Sequence, residues 1–110
     1  MEKTRTVPHV SVCICTFKRP VLLERLLREL GKQQVDGQFT LSVVVADNDG
    51  GESAKEVVEA FRAASSIPTT YCVEPRQNIA LARNKAVEHA YGDYIAFIDD
   101  DEFPTTAGIT

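Results

Sequence analysis

Short apolar runs without a strong polar alternation recur along this chain, and each of the first three is followed by a segment of helical character. Val10 to Thr16 (VSVCICT), Leu41 to Ala46 (LSVVVA), Thr70 to Val73 and Tyr94 to Ile98 (YIAFI) read as strands, and the first, second and fourth have the composition of strands covered on both faces. Pro20 opens a first helix carrying Leu22, Leu23, Leu26, Leu27 and Leu30 in one stripe, with Gly31 as a stop. Ser53 is placed to cap a second helix whose apolar side is Ala54, Val57, Val58 and Phe61, and Pro68 bars its continuation. Asn78 is placed to cap a third, Ile79 to Ala90, with Leu81, Ala82, Ala86 and Ala90 inward and Gly92 at its end. Strict alternation of strand and helix implies right-handed crossovers and a mostly parallel sheet with helices on both faces. The expected fold is therefore α/β, a Rossmann-like three-layer sandwich. Its strand order should be 3-2-1-4, because the first strand of a doubly wound half lies between the second and the fourth.

At 110 residues the chain fits one domain, and with 44% hydrophobic and 25% charged residues it resembles neither a disordered nor a membrane protein. A net charge of −4 weighs against nucleic acid as a partner, since that binding depends on Lys and Arg neutralising phosphates. Cys13, Cys15 and Cys72 are odd in number and lack CxxC spacing, so they read as small apolar residues of a reducing compartment. Met1 to His9 is a polar tail without a signal-peptide core, and no apolar run approaches the roughly 20 residues of a membrane span. A cytoplasmic location follows, with peripheral membrane association open for a longer protein.

Ligands of open α/β sheets sit beyond the carboxyl ends of the strands, where the strand order reverses. Three polar clusters fall there: Thr16, Phe17, Lys18 and Arg19 after the first strand, Asp47, Asn48 and Asp49 after the second, and Asp99, Asp100 and Asp101 after the fourth. Three adjacent carboxylates repel one another unless a cation intervenes. In an extended chain Asp99 and Asp101 share a side while Asp100 faces elsewhere, which suits one oxygen-ligated ion such as Mg²⁺ or Mn²⁺. Such an ion keeps positions open for substrate phosphates, and a diphosphate fits.

Taken together, VSVCICTFKRP (Val10 to Pro20), VVVADND (Val43 to Asp49), NIALARNKAV (Asn78 to Val87) and YIAFIDDDEFP (Tyr94 to Pro104) resemble the amino-terminal half of glycosyltransferase family 2. These are inverting enzymes with the GT-A fold. The resemblance implies that residues 10–104 are a nucleotide-sugar-binding half, that residues 1–9 are a tail, and that residues 105–110 end the sequence before the acceptor-binding half. It also implies that Thr16 and Phe17 lie against the nucleotide base and that Asp47 hydrogen-bonds the base or ribose. Asn78, Arg83 and Asn84 would face the diphosphate or donor sugar, with bracing of the acidic loop an alternative for Arg83. Asp99 would meet ribose or metal, Asp100 the sugar, and Asp101 chiefly the metal, Mn²⁺ or Mg²⁺. The expected partners are a nucleotide-diphosphate sugar and a saccharide or lipid-linked acceptor, with the general base beyond Thr110 and no activity from the fragment alone.

The chain departs from the family after Asp47, where a small residue and Ser are usual and Asn48, Asp49, Gly50 and Gly51 stand here. Either Asp47 or Asp49 is thereby left to meet the base, with Asp47 favoured. A receiver-like regulatory domain would need a Lys downstream of its acidic cluster, and none follows Lys85. A nucleotidyltransferase would carry a Gly-rich loop where Thr16 to Arg19 stands.

Overall fold

Central placement of the first strand governs the architecture. A computed structural model describes residues 7–32 and 39–99, with Asp99 described by its backbone alone. The elements are β1 (His9–Thr16), α1 (Pro20–Gly31), β2 (Thr40–Asp47), α2 (Lys55–Ala64), β3 (Thr69–Val73), α3 (Ile79–His89) and β4 (Tyr94–Asp99). The strands form one parallel sheet in the order β3-β2-β1-β4. Val12 pairs with Val43 on one side and Ala96 on the other, so β2 and β4 flank β1 as the alternating pattern predicts.

Side-chain alternation divides the core between the two faces of the sheet. Val12, Ile14, Val43 and Val45 meet the leucines of α1 and Val58 of α2 on one face. Leu23, Leu26, Leu27 and Leu30 are the buried stripe of α1, each worth roughly 1.5–3 kcal/mol of apolar burial. Pro20 takes the first helical turn, where its missing N–H costs nothing. On the other face Cys13, Val44, Ala46 and Cys72 pack with Ala86 of α3. The buried residues of α3 are Ala82 and Ala86, whose small side chains let the helix lie close to the sheet.

Two expectations are corrected. Ser53 does not cap α2: its N-cap position is Ala54, without a side-chain cap. The Ala54 N–H instead donates to the Asp47 carboxylate, 3.0 Å away, at the end of β2. Nor is β4 covered on both faces among the described residues, where Tyr94 is 63% and Phe97 48% exposed. Among the described residues β4 is an edge strand of the sheet, and α3 packs over β1, β2 and β3.

At the amino end of the sheet, Asp93 and His9 exchange two hydrogen bonds, His9 N–H to Oδ2 at 2.8 Å and Asp93 N–H to the His9 carbonyl at 2.9 Å. The His9 ring stacks on Tyr91 at 4.6 Å. Gly92 makes this approach possible, with a φ of +102° and a position where an added Cβ would lie 2.5 Å from the His9 ring. No helix among the described residues is long and apolar enough to cross a membrane.

Candidate functional site

Parallel pairing brings the carboxyl ends of β1, β2 and β4 to one edge. Thr16 is the register partner of Asp47, and the Asp99 backbone stands opposite Cys15. The three polar clusters singled out in the sequence therefore start side by side. Asp100, Asp101 and the Asp99 side chain lie outside the described residues. Among the described residues no group of three His, Cys, Asp or Glu side chains is disposed to hold a metal ion.

The Thr16 side chain is buried, and Phe17 beyond it is 37% exposed with the Lys18 ammonium 5.3 Å from its ring centre. Lys18 takes a left-handed φ of 54°, turning the chain sharply out of β1. An aromatic face thus stands at the edge where a planar ligand could stack.

Asp47 sits differently from the expected direct contact with a base. It is 0% exposed, and both carboxylate oxygens are engaged internally. Oδ1 accepts from the Asp49 N–H at 3.1 Å, while Oδ2 accepts from the Ala54 N–H at 3.0 Å and the Tyr71 hydroxyl at 2.7 Å. As placed, the carboxylate closes the β2–α2 loop and accepts from the N–H of the N-cap residue, as a Glu in the first turn does in a capping box. Burial, reinforced by Asp47, pushes the Tyr71 phenol well above its ordinary value. Asp49 is partly exposed, and a hydrogen bond from the Gly51 N–H, 2.9 Å long, leads the interactions that hold its carboxyl below the ordinary aspartate value.

Asn78 caps α3 as expected, its side-chain oxygen accepting from Ala80 N–H at 2.9 Å and Leu81 N–H at 3.2 Å. That oxygen satisfies two of the amides that would otherwise be available to an anion. One turn on, the Arg83 guanidinium lies 5.8 Å from the centre of the Phe97 ring. Arg83 thus lies against β4, the strand that leads into the acidic run.

The sequence reading assigned no role to Tyr71, Glu74 or Asn48. Tyr71 buttresses Asp47 from the neighbouring strand. Glu74 is buried and accepts from both the backbone N–H and Nε of Arg76, and the backbone bond is the chief cause of its lowered pKa. Asn48 bonds to the end of β1 and, three times, to the β3–α3 connection. Of the three only Asn48 left a signal, as the first of the residues that depart from the usual family pattern, because Asn side chains commonly bridge backbone groups in turns.

Comparison with known proteins agrees with this geometry. The family model described as glycosyl transferase family 2 matches residues 11–109. The chain is 40% identical over 94 residues to the succinoglycan biosynthesis protein ExoM of Rhizobium meliloti (strain 1021), covering 86% of this chain and 30% of that protein. It is 28% identical over 101 residues to a GalNAc(5)-diNAcBac-PP-undecaprenol beta-1,3-glucosyltransferase of Campylobacter jejuni, covering 87% and 30%. The fold superposes with a TM-score of 0.76, at 25% identity, on the mannosyltransferase PcManGT from Pyrobaculum calidifontis, solved in complex with GDP-Man and Mn²⁺. That match covers 91% of this chain and 30% of the mannosyltransferase. The chain thus spans about 30% of the length of these relatives. A family model matched along nearly the whole sequence, on a parallel sheet in the order β3-β2-β1-β4, establishes that the chain belongs to glycosyl transferase family 2.

Proposed function

We propose that this chain binds the nucleotide-diphosphate sugar for an inverting glycosyl transfer, together with Mn²⁺ or Mg²⁺. The observation that carries the reading is the meeting of three polar strand ends at one edge, with Thr16 against Asp47 and Cys15 against Asp99. The mannosyltransferase complex with GDP-Man and Mn²⁺ supports it. In this reading Phe17 offers a face to the base, with Thr16 beside it. Asp47 contributes by holding the loop that presents Asp49, and Asp49, partly exposed, takes the direct hydrogen bond to base or ribose. Asn78 fixes the start of α3 toward the diphosphate, and Arg83 steadies β4 through Phe97.

Asp99 and Asp101 would hold the cation, and Asp100 would contact the sugar. Carboxylate oxygens are the donors that Mg²⁺ and Mn²⁺ prefer. Bound there, a divalent ion would stabilise the negative charge that gathers on the departing diphosphate. Residues 10–104 form the donor half in this proposal. The saccharide or lipid-linked acceptor and the general base belong to a longer protein, so the chain alone would not transfer sugar.

Thermal melting with nucleoside diphosphates, in Mn²⁺ and in chelator, tests the reading. Nucleotide and metal together should stabilise the fold by about 2.7 kcal/mol at roughly one hundred times their joint dissociation constant. Asp101→Ala should abolish that synergy and Asp100→Ala should reduce it less. Equal nucleotide-dependent shifts with Mn²⁺ and with chelator would remove the metal from the proposal.

A further inference from the structure

We infer that Asn48 is a positioning residue of the donor site, a clasp that sets the spacing of its loops without touching the nucleotide. The inference rests on the donor-binding reading proposed above. Asn48 is 7% exposed, so little of it is available to a ligand. Its backbone N–H donates to the Thr16 carbonyl at the end of β1, 2.8 Å away. Its side-chain amide donates to the carbonyls of Glu74 at 2.7 Å and Arg76 at 2.6 Å, and its side-chain oxygen accepts from the Asn78 N–H at 3.1 Å. One residue at the end of β2 thus fastens the end of β1, the β3–α3 turn and the cap of α3.

Only a primary amide meets these demands. Two carbonyls require two N–H donors, and the Asn78 N–H requires an acceptor on the same planar group. This also fixes which end of the amide is oxygen. A carboxylate at this position would set an oxygen against two carbonyls. An alanine would leave two carbonyls and one amide without these partners, the bond to Glu74 being buried and those to Arg76 and Asn78 partly buried. Glu74 pins the same turn from its other side through the Arg76 N–H and Nε. Asn78, held by Asn48 through its backbone, holds α3 in turn through its side chain. The positions of α3 and Arg83 relative to Thr16 and Phe17 therefore descend from Asn48.

The test compares the wild-type chain with Asn48→Ala and Asn48→Asp, using UDP and GDP as probes with Mn²⁺. Affinities are measured well below the melting temperature of every variant, so that loss of folded protein does not enter. Amide exchange is followed at Asn48 and Asn78. A clasp predicts that both variants weaken UDP and GDP by the same factor, about tenfold or more, because a misplaced site loses contacts whichever base it holds. Asp should not rescue Ala, and in Asn48→Ala, which removes the acceptor, faster exchange at Asn78 should accompany the loss while amides in the middle of β2 stay protected.

Unchanged affinity in a variant of a wild-type chain that does bind would overturn the clasp and leave the donor site standing. A change in preference between UDP and GDP on Asn48→Asp would overturn it in favour of direct contact with the base. Unchanged exchange at Asn78 in Asn48→Ala would also overturn it. A wild-type chain that binds neither nucleotide would refute the donor site and the positioning role together.

Discussion

Replacing Asp47 with Ala tests whether this carboxylate is a structural tie or a nucleotide contact, because the two roles move different observables. Asp47 accepts from the Asp49 N–H, the Ala54 N–H and the Tyr71 hydroxyl. Of these bonds, the one from Ala54 is buried and the other two are partly buried, so water recovers part of what they lose. A hydrogen bond to a charged group is worth about 1.5–3 kcal/mol, and an unsatisfied buried donor costs about 1–3. Allowing for rehydration of two donors, Asp47→Ala should destabilise the fold by about 3–5 kcal/mol. For a domain near this size each kcal/mol lowers the melting temperature by roughly 4–8 °C, so a fall of more than about 12 °C is expected. Tyr71→Phe alone should cost about 1–2 kcal/mol. In the Asp47→Ala background it should cost close to nothing, because the hydroxyl has already lost its acceptor. Chemical denaturation of wild type, both single variants and the double variant yields the coupling, expected at about 1–2 kcal/mol. Additive costs within about 0.5 kcal/mol would refute the tie. A wild-type melting temperature in Asp47→Ala, combined with lost nucleotide affinity, would place the carboxylate on the base.

Gly92→Ala combines a left-handed φ with a clash against the His9 ring, so it should lower stability by roughly 1–3 kcal/mol. It lies at the amino end of the sheet and should leave nucleotide affinity unchanged below the melting temperature; an unaltered melting temperature would contradict the strained geometry. Burial pushes the Cys13 and Cys72 thiols up to about 11, so iodoacetamide at pH near 8 should spare both in the folded chain and label them once denaturant is added. Mass mapping that finds either labelled in the native state would refute their burial. Asp49 and Glu74 have lowered values in the fold, so the unfolded chain binds more protons than the folded one in the acid range. Their contribution should be complete above about pH 4.5 and lost as pH falls through the lowered values. Glu74→Gln should flatten that acid slope in urea titrations, and an unchanged slope would argue against the Arg76 contacts.

The sequence by itself determined the order of elements and their pairing. VSVCICT and LSVVVA are too short and too continuously apolar for anything but inner strands, and strict strand–helix alternation leaves a parallel sheet with β1 between β2 and β4. The leucine stripe of α1 and the Asn78 cap were legible for the same reason, since periodicity and capping depend on residues within a few positions of one another. Local signals also suggested Ser53 as the cap of α2, and there they failed. The amide of Ala54 is met by a carboxylate seven residues back, which comes near only after β2 has joined the sheet and α2 has folded against it. Tyr71 faces Asp47 across the β2–β3 ladder, and Asn48 reaches Glu74, Arg76 and Asn78 across 26 to 30 residues of chain. No sequence period encodes such distances. The expected order already put β4 at an edge of the sheet, yet its continuously apolar run read as covered on both faces, because such a run does not reveal what packs against it. The residue types at the site were therefore set by the sequence. Which of them remain available to a ligand was decided by tertiary contacts, because each buried polar group takes whatever partner the finished packing brings within reach.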